Sequence, residues 1–395
     1  MKHVLPYIII LYNVVLLAGC RGATVTPDEV PQPQAEAERT VIVYMAGDNS
    51  LSSQIREDTT EMAKGRDMIP ENVSFIIYLD DAANFPAVYE LSKQNGMQLW
   101  KQYGEELCST DSLTMLGVLK DIEQNFPARH YGLTFWSHAT GWAPRRKTFG
   151  IDDHPASGKS VSEMEITVLR DVLAQLPRSD YIFFDACFMQ GVEVAYELRD
   201  VTNYVVGSPA EIPGPGAPYE KIMDALCTAD VKGLVEGYVG NYPRTYNGVS
   251  YPGVLLSCID CTQLEPLAQL TGTLLTPFYM GRAEPSAEGF QAYCDLLYEK
   301  YTHCLDMRTT MCRLLPEEDY ALWTEAFDKA VPLRALSPTN RWFALYCSNA
   351  VVKDTECYGG VSMFVPMEKY DACGWNVDFR NTSWYEAAEW GKTGW

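Results

Sequence analysis

Four short apolar runs, set apart by amphipathic stretches, constrain this chain more than any other feature. They are Arg39–Gly47 (RTVIVYMAG), Asn72–Asp80 (NVSFIIYLD), Tyr131–Ser137 (YGLTFWS) and Tyr181–Asp185 (YIFFD). Each is rich in β-branched and aromatic residues and apolar on both faces, the pattern of a strand covered from both sides. Helical patterns lie between and after them: over 51–66, from a cap at Asp111 to Asn125, over 162–176, and over 190–199. Ser162, with Glu165 three residues on, reads as the capping box of the third. Alternating strands and helices predict an α/β fold with a mostly parallel sheet between helical layers. Asn95-Gly96 within 87–103 is a hairpin signal, and Tyr204–Gly207 reads as another strand. The expected core therefore covers 40–261. From 262 to 395 the pattern is mainly helical, with a late strand-like stretch, Gly360–Pro366, expected to return to the sheet.

The segment ahead of the core carries a different signal. Lys2 and His3 precede an apolar run, Val4 to Ala18, which is shorter than the roughly 20 residues a membrane span needs and has the length of a signal-peptide core. It ends Leu16-Leu17-Ala18-Gly19-Cys20, which resembles the lipobox of bacterial lipoproteins. Residues 1–19 are thus expected to be removed and Cys20 to carry lipid, anchoring an exported protein to the bacterial cell envelope. Residues 20–39 hold Gly22, Pro27, Pro31 and Pro33 and almost nothing to bury, the composition of an extended tether.

Composition removes one class of partner. A net charge of −21 argues against nucleic acid, whose phosphates demand clustered cations, and favours a cationic ligand. Of 12 cysteines, setting aside Cys20 and one candidate nucleophile leaves ten, which permits disulfides without fixing their pairing. Cys258-x-x-Cys261 lacks a second Cys/His pair at zinc-finger spacing.

Chemistry concentrates at two strand ends. His138 follows the third apolar run and Cys187 the fourth, 49 residues later with a helix between them. Parallel sheets form their sites beyond the C-terminal ends of strands. On neighbouring strands, an imidazole and a thiol would stand side by side, the arrangement for nucleophilic acyl transfer. A helix starting just after Cys187 would also lower the thiol pKa. His130, His154 and His303 end no apolar run and read as surface or satisfied histidines.

The stretch Thr134-Phe-Trp-Ser-His138-Ala-Thr-Gly-Trp142, followed by Phe183-Phe-Asp-Ala-Cys187-Phe-Met-Gln-Gly191, resembles the clostripain family of cysteine peptidases. Tyr44-Met-Ala-Gly-Asp-Asn49, Pro213-Gly-Pro-Gly216 with Pro218-Tyr219, and Gly360-Val-Ser-Met-Phe-Val-Pro366 extend the resemblance in order from about residue 40 to 366. It implies the caspase-like three-layer sandwich, with His138 and Cys187 as the catalytic dyad and Asp185 at the floor of a pocket for substrate Arg or Lys. Ser208 and Glu211 are further candidates to line that pocket. The backbone N–H of Ala139 takes the oxyanion role, at a position where the family usually has Gly. If that position needed a glycine-only backbone angle, Ala139 would strain it.

Family members are commonly activated by cutting themselves after a basic residue between the His and the Cys. Arg145-Arg146-Lys147 offers three such sites. Some members depend on calcium. No cofactor is required by this reading, and the acid pairs Asp80-Asp81 and Asp152-Asp153 are the candidates for a hard cation. The expected function is a lipid-anchored cysteine endopeptidase cutting peptides or proteins after Arg or Lys. The competing expectation is a catalytically inactive caspase-like surface lipoprotein that binds peptides or partner proteins.

Overall fold

The computed structural model describes residues 36–143, 148–154, 161–279, 290–293, 304–345 and 350–395. Cys20, the tether through residue 35 and the basic trio 145–147 lie outside the described residues.

In chain order the first half gives β1 (Ala37–Gly47), α1 (Ser52–Gly65), β2 (Val73–Asp81), β3 (Asn84–Ser92), β4 (Gly96–Gln102), α2 (Ser112–Asn125), β5 (Ala128–Trp136), β6 (Thr148–Asp152), β7 (Ser162–Glu165), α3 (Ile166–Leu173), β8 (Ser179–Asp185), α4 (Val192–Leu198) and β9 (Thr202–Gly207). There follow α5 (Tyr219–Thr228), α6 (Val231–Val239), β10 (Arg244–Tyr246), β11 (Val249–Tyr251), β12 (Leu255–Asp260), α7 (Leu264–Tyr279), β13 (Leu305–Asp306), α8 (Met307–Leu314), α9 (Glu317–Ala330), β14 (Leu333–Leu336) and β15 (Ser362–Met363).

Nine strands form the central sheet in the order β14-β12-β9-β8-β5-β1-β2-β3-β4. The five in the middle, β9 to β2, are parallel; the pairs at each edge are antiparallel. Successive residues of the parallel strands feed two different cores. Val41, Val43, Phe75, Ile77 and Phe183 pack with α1, α5 and α6 on one face. Ile42, Tyr44, Ile76, Tyr78 and Phe184 pack with α2, α3, α4, α7 and α9 on the other. Two covered faces explain why these strands read as unbroken apolar runs.

Two expectations are corrected. Ser162 and Glu165 do not form a capping box: residues 162–165 are β7, paired with β6, and α3 begins at Ile166 with no side-chain cap. The strand that returns to the sheet is β14, antiparallel to β12. The stretch 360–366 contributes only β15, which pairs with β13 outside the main sheet. By contrast Asp111 caps α2 as read, its carboxylate accepting from Leu113 N and Thr114 N.

Candidate active site

The site follows from register. In the β5–β8 pair Trp136 faces Asp185, the last registered pair, and His138 and Cys187 each follow two residues beyond it on these neighbouring strands. Adjacent parallel strands run about 4.8 Å apart. Both residues line one cavity of about 610 Å³ at the C-terminal edge of the sheet, with Ala139, Asp185 and Glu211 also in its wall.

Each loop is held in place by buried contacts. Trp142 is buried and packs against Phe364 and Phe379, ring centroids 5.0 and 5.8 Å away. Beneath the cysteine loop, Ser362 N donates to Gln190 O (3.0 Å) and Phe364 N to the buried Glu193 carboxylate (2.7 Å). The stretch 360–366 therefore buttresses both the histidine loop and the cysteine loop instead of extending the main sheet. The two loops also meet directly. Gly141 has φ +58°, and a Cβ there would lie 2.0 Å from the Phe188 carbonyl oxygen. Phe188 itself holds φ +61°, a costly conformation for a non-glycine residue.

His138 has its pKa lowered, first because burial disfavours the charged ring, with Asp153 acting in the opposite direction. It is therefore largely neutral at neutral pH, as a general base must be. The Cys187 thiol departs from expectation. Burial pushes it up to about 12, and the Glu211 and Asp185 carboxylates add to the rise against a hydrogen bond from Ile212 N. That bond measures 3.3 Å to Sγ. The expected lowering by a helix terminus does not operate, because α4 starts only at Val192 and spans seven residues. Cys187 therefore rests as a thiol.

Asp185 forms the cavity floor and is 4% exposed. It accepts from Ala217 N (3.0 Å), Tyr219 Oη (3.1 Å) and Tyr238 Oη (3.0 Å). Burial raises its pKa, while these three donors and Arg244 oppose the rise. Gly216, with φ +52°, closes over it: a Cβ would lie 2.9 Å from Oδ2. Glu211 lines the cavity and accepts from Leu345 N (2.9 Å). Ser208 does not line it. That residue is fully buried directly after the sheet-core strand β9, its hydroxyl accepting from Ala210 N (3.1 Å). Ala139 adopts no left-handed backbone angle, so alanine is unstrained there and its N–H is retained.

The acid pairs considered for calcium take hydrogen bonds from the protein. Asp81 accepts from Ala83 N and Asn84 N, Asp152 from Ser109 N and His154 N, and Asp80 from Ser109 Oγ. Among the described residues no group of three or more His, Cys, Asp or Glu is arranged to hold a metal ion. Among the described residues Cys108, Cys187, Cys227, Cys258, Cys261, Cys312, Cys357 and Cys373 are free thiols.

Sequence reasoning missed Tyr219 and Tyr238, which support the pocket floor, and Ser50, whose hydroxyl lies 2.8 Å from His138 Nε2. Cues existed for Ser50, which follows the Gly47-Asp48-Asn49 turn at the end of β1, and for Tyr219, which lies in the Pro218-Tyr219 match, but not for Tyr238.

A thiol and an imidazole on adjacent parallel strand ends, above an acid-floored cavity, define the class of caspase-like cysteine peptidases. The clostripain-family profile matches residues 43–395, and the chain belongs to that family. It is 24% identical over 220 residues to clostripain of Hathewaya histolytica, covering 47% of this chain and 42% of that protein, so the match spans less than half of the relative's length. The fold is similar to a secreted C11 cysteine protease from Bacteroides thetaiotaomicron, solved in complex with an irreversible peptide inhibitor (TM-score 0.78, 30% identity, 90% of this chain and 99% of that one). It is also similar to an inactive zymogen C11 protease from Parabacteroides distasonis (TM-score 0.74, 28% identity, 90% and 99%).

Proposed function

We propose that this chain is a cysteine endopeptidase that cuts after Arg or Lys. The observation that supports the reading is that His138 and Cys187, each two residues beyond the Trp136–Asp185 pair, line one cavity together with Asp185. Cys187 attacks the peptide carbonyl, His138 takes the thiol proton and passes it to the leaving amine, and Ala139 N–H holds the oxyanion. Asp185 pairs with the cationic side chain. A guanidinium there gains a charge-assisted bond, and the apolar cavity wall strengthens it. The ordinary backbone angle at Ala139 supports an active site over an inactive one.

Self-processing fits the same site. The basic trio ends at Lys147, and the next residue, Thr148, lines the cavity. A relative of the same fold is described as an inactive zymogen, which supports activation by cleavage. Lipid on Cys20 is supported by the Val4–Ala18 run and the Leu-Ala-Gly-Cys sequence. No helix among the described residues is long and apolar enough to cross a membrane.

The test uses the full chain and matched fluorogenic peptides ending in Arg, Lys or Ala. Wild type is expected to cleave the Arg and Lys peptides only, and to split within 145–147. Cys187→Ala is expected to do neither and to stay intact. Equal cleavage of the Ala peptide would remove the specificity, and cleavage by Cys187→Ala would remove the nucleophile. Mass spectrometry of the N-terminal peptide from expressing cells is expected to find acylated Cys20, and an unmodified Met1 would refute anchoring.

A further inference from the structure

Three adjacent parallel strands, β8, β5 and β1, deliver three side chains to one edge: Cys187, His138 and, from the turn after β1, Ser50. Met45 pairs with Trp136, so the β1 turn and the histidine loop leave the sheet side by side. This is also where the connections reverse direction, since β2 lies on one side of β1 and β5 on the other; such a switch point opens a crevice. Ser50 Oγ lies 2.8 Å from His138 Nε2.

Resting on the dyad reading above, we propose that Ser50 is a positioning residue for His138. Its hydroxyl accepts the Nε2–H, which leaves Nδ1 as the atom that exchanges protons with the thiol and the leaving amine.

The contact joins two rigid backbones. Ser137 Oγ donates to Ala46 O (2.6 Å), and Asn49 Nδ2 donates to Ala46 O (3.0 Å) and Ile151 O (2.8 Å). Leu51 N donates to Asn49 Oδ1 (2.9 Å), fixing the turn on the far side of Ser50. Gly150 N donates to His138 O (2.9 Å), and Asp153 N to Asp48 O (2.8 Å). Ser50 and His138 are thus held by the same network from both sides, and the side-chain bond forms with little further ordering.

The proton inventory favours an acceptor at Nε2. As the C–S bond forms, the thiol proton moves to Nδ1, and the ring becomes an imidazolium with both nitrogens protonated. As the C–N bond breaks, the Nδ1 proton leaves with the amine. Water then attacks the thioester carbonyl, passes a proton to Nδ1, and that proton returns to sulfur as the acid departs. Nε2 keeps its hydrogen throughout. A hydroxyl oxygen can accept that bond in every state and fix the ring orientation. The charged group acting on His138 is Asp153, and the proton partner across the cavity is Cys187.

The experiment compares full-chain wild type, Ser50→Ala and Ser50→Thr on an Arg fluorogenic peptide across pH. Ser50→Ala is expected to lower kcat about 10- to 100-fold with KM changed less than about twofold, and Ser50→Thr, which keeps the hydroxyl, to recover most of it. A second readout needs no turnover. In ¹⁵N-histidine-labelled Cys187→Ala protein, the resonances absent from a further His138→Asn variant belong to His138. They are expected to show the Nε2–H tautomer with Ser50 present and a tautomer mixture in Ser50→Ala. Unchanged kcat, a kcat loss that threonine does not rescue, or an unchanged tautomer would each overturn the proposal. Failure of wild type to cleave would count against the dyad instead, and the tautomer measurement would still decide the role of Ser50.

Discussion

Two carboxylates end parallel strands of the same sheet and meet opposite fates. Asp185, at the end of β8, faces the cavity with three donors aimed at it, Ala217 N, Tyr219 Oη and Tyr238 Oη. Asp80, near the end of β2, lies in a closed corner with Ser109 as its donor and its second oxygen buried without a partner. Asp152, Glu106 and Asp48 surround it with like charge, and burial leads the causes that push its pKa up to about 8. Burial alone therefore does not make a strand-end carboxylate a binding group. Binding also needs donors that prepare it for charge and an opening that admits a counter-ion, and Asp185 has both where Asp80 has neither opening nor matched donors.

The comparison breaks first at Asp185. Asp185→Asn is expected to lower kcat/KM for Arg and Lys peptides by about 100- to 1,000-fold, the cost of stranding a buried cation. Asp80→Asn in the same assay should leave kcat/KM within about twofold. Equal losses in both variants would erase the distinction. Gly216→Ala should follow at roughly tenfold or more in KM, because its Cβ would crowd Asp185 Oδ2 at 2.9 Å and its φ of +52° costs about 1–3 kcal/mol for alanine. The smallest effect is on stability. The folded state holds the Asp80 proton up to about pH 8, while the unfolded chain releases it near 3.8. Stability from this group is therefore present below pH ~4 and lost as pH rises toward 8. Asp80→Asn removes that loss, so its Tm advantage over wild type should grow from pH 5 to pH 9. An advantage that shrinks with pH would contradict the corner's assignment. A pH effect of the same origin is expected on substrate binding. The raised pKa of Asp185 means KM for Arg peptides should rise as pH falls through it.

Much of the architecture was legible because burial on both faces leaves a mark no helix interior shares: Val41 to Met45 and Phe75 to Tyr78 are apolar without alternation. His138 and Cys187 were legible for the same reason, each standing where such a run stops. Asp185 could be read only through family resemblance, since a strand-terminal acid looks the same at Asp80. Its supporting tyrosines come from α5 and α6, 34 and 53 residues downstream, and no local pattern links them to it. The thiol pKa was misread because the distance from Cys187 to the helix start, and the depth of the sulfur, depend on how the loop folds. Gly360–Pro366 was expected to return to the main sheet from its apolar pattern, but its strand, β15, pairs with β13 and its other contacts are to the histidine and cysteine loops.

The central claim is that Cys187 reacts above an acid floor that selects a basic side chain. Labelling the full chain with a peptidyl-arginine chloromethyl ketone, then mapping the adduct by mass spectrometry, tests it most directly. One adduct on Cys187 is expected, formed at least tenfold more slowly in Asp185→Asn and with the matched alanine reagent. An adduct on another cysteine, or equal rates for the arginine and alanine reagents, would contradict it.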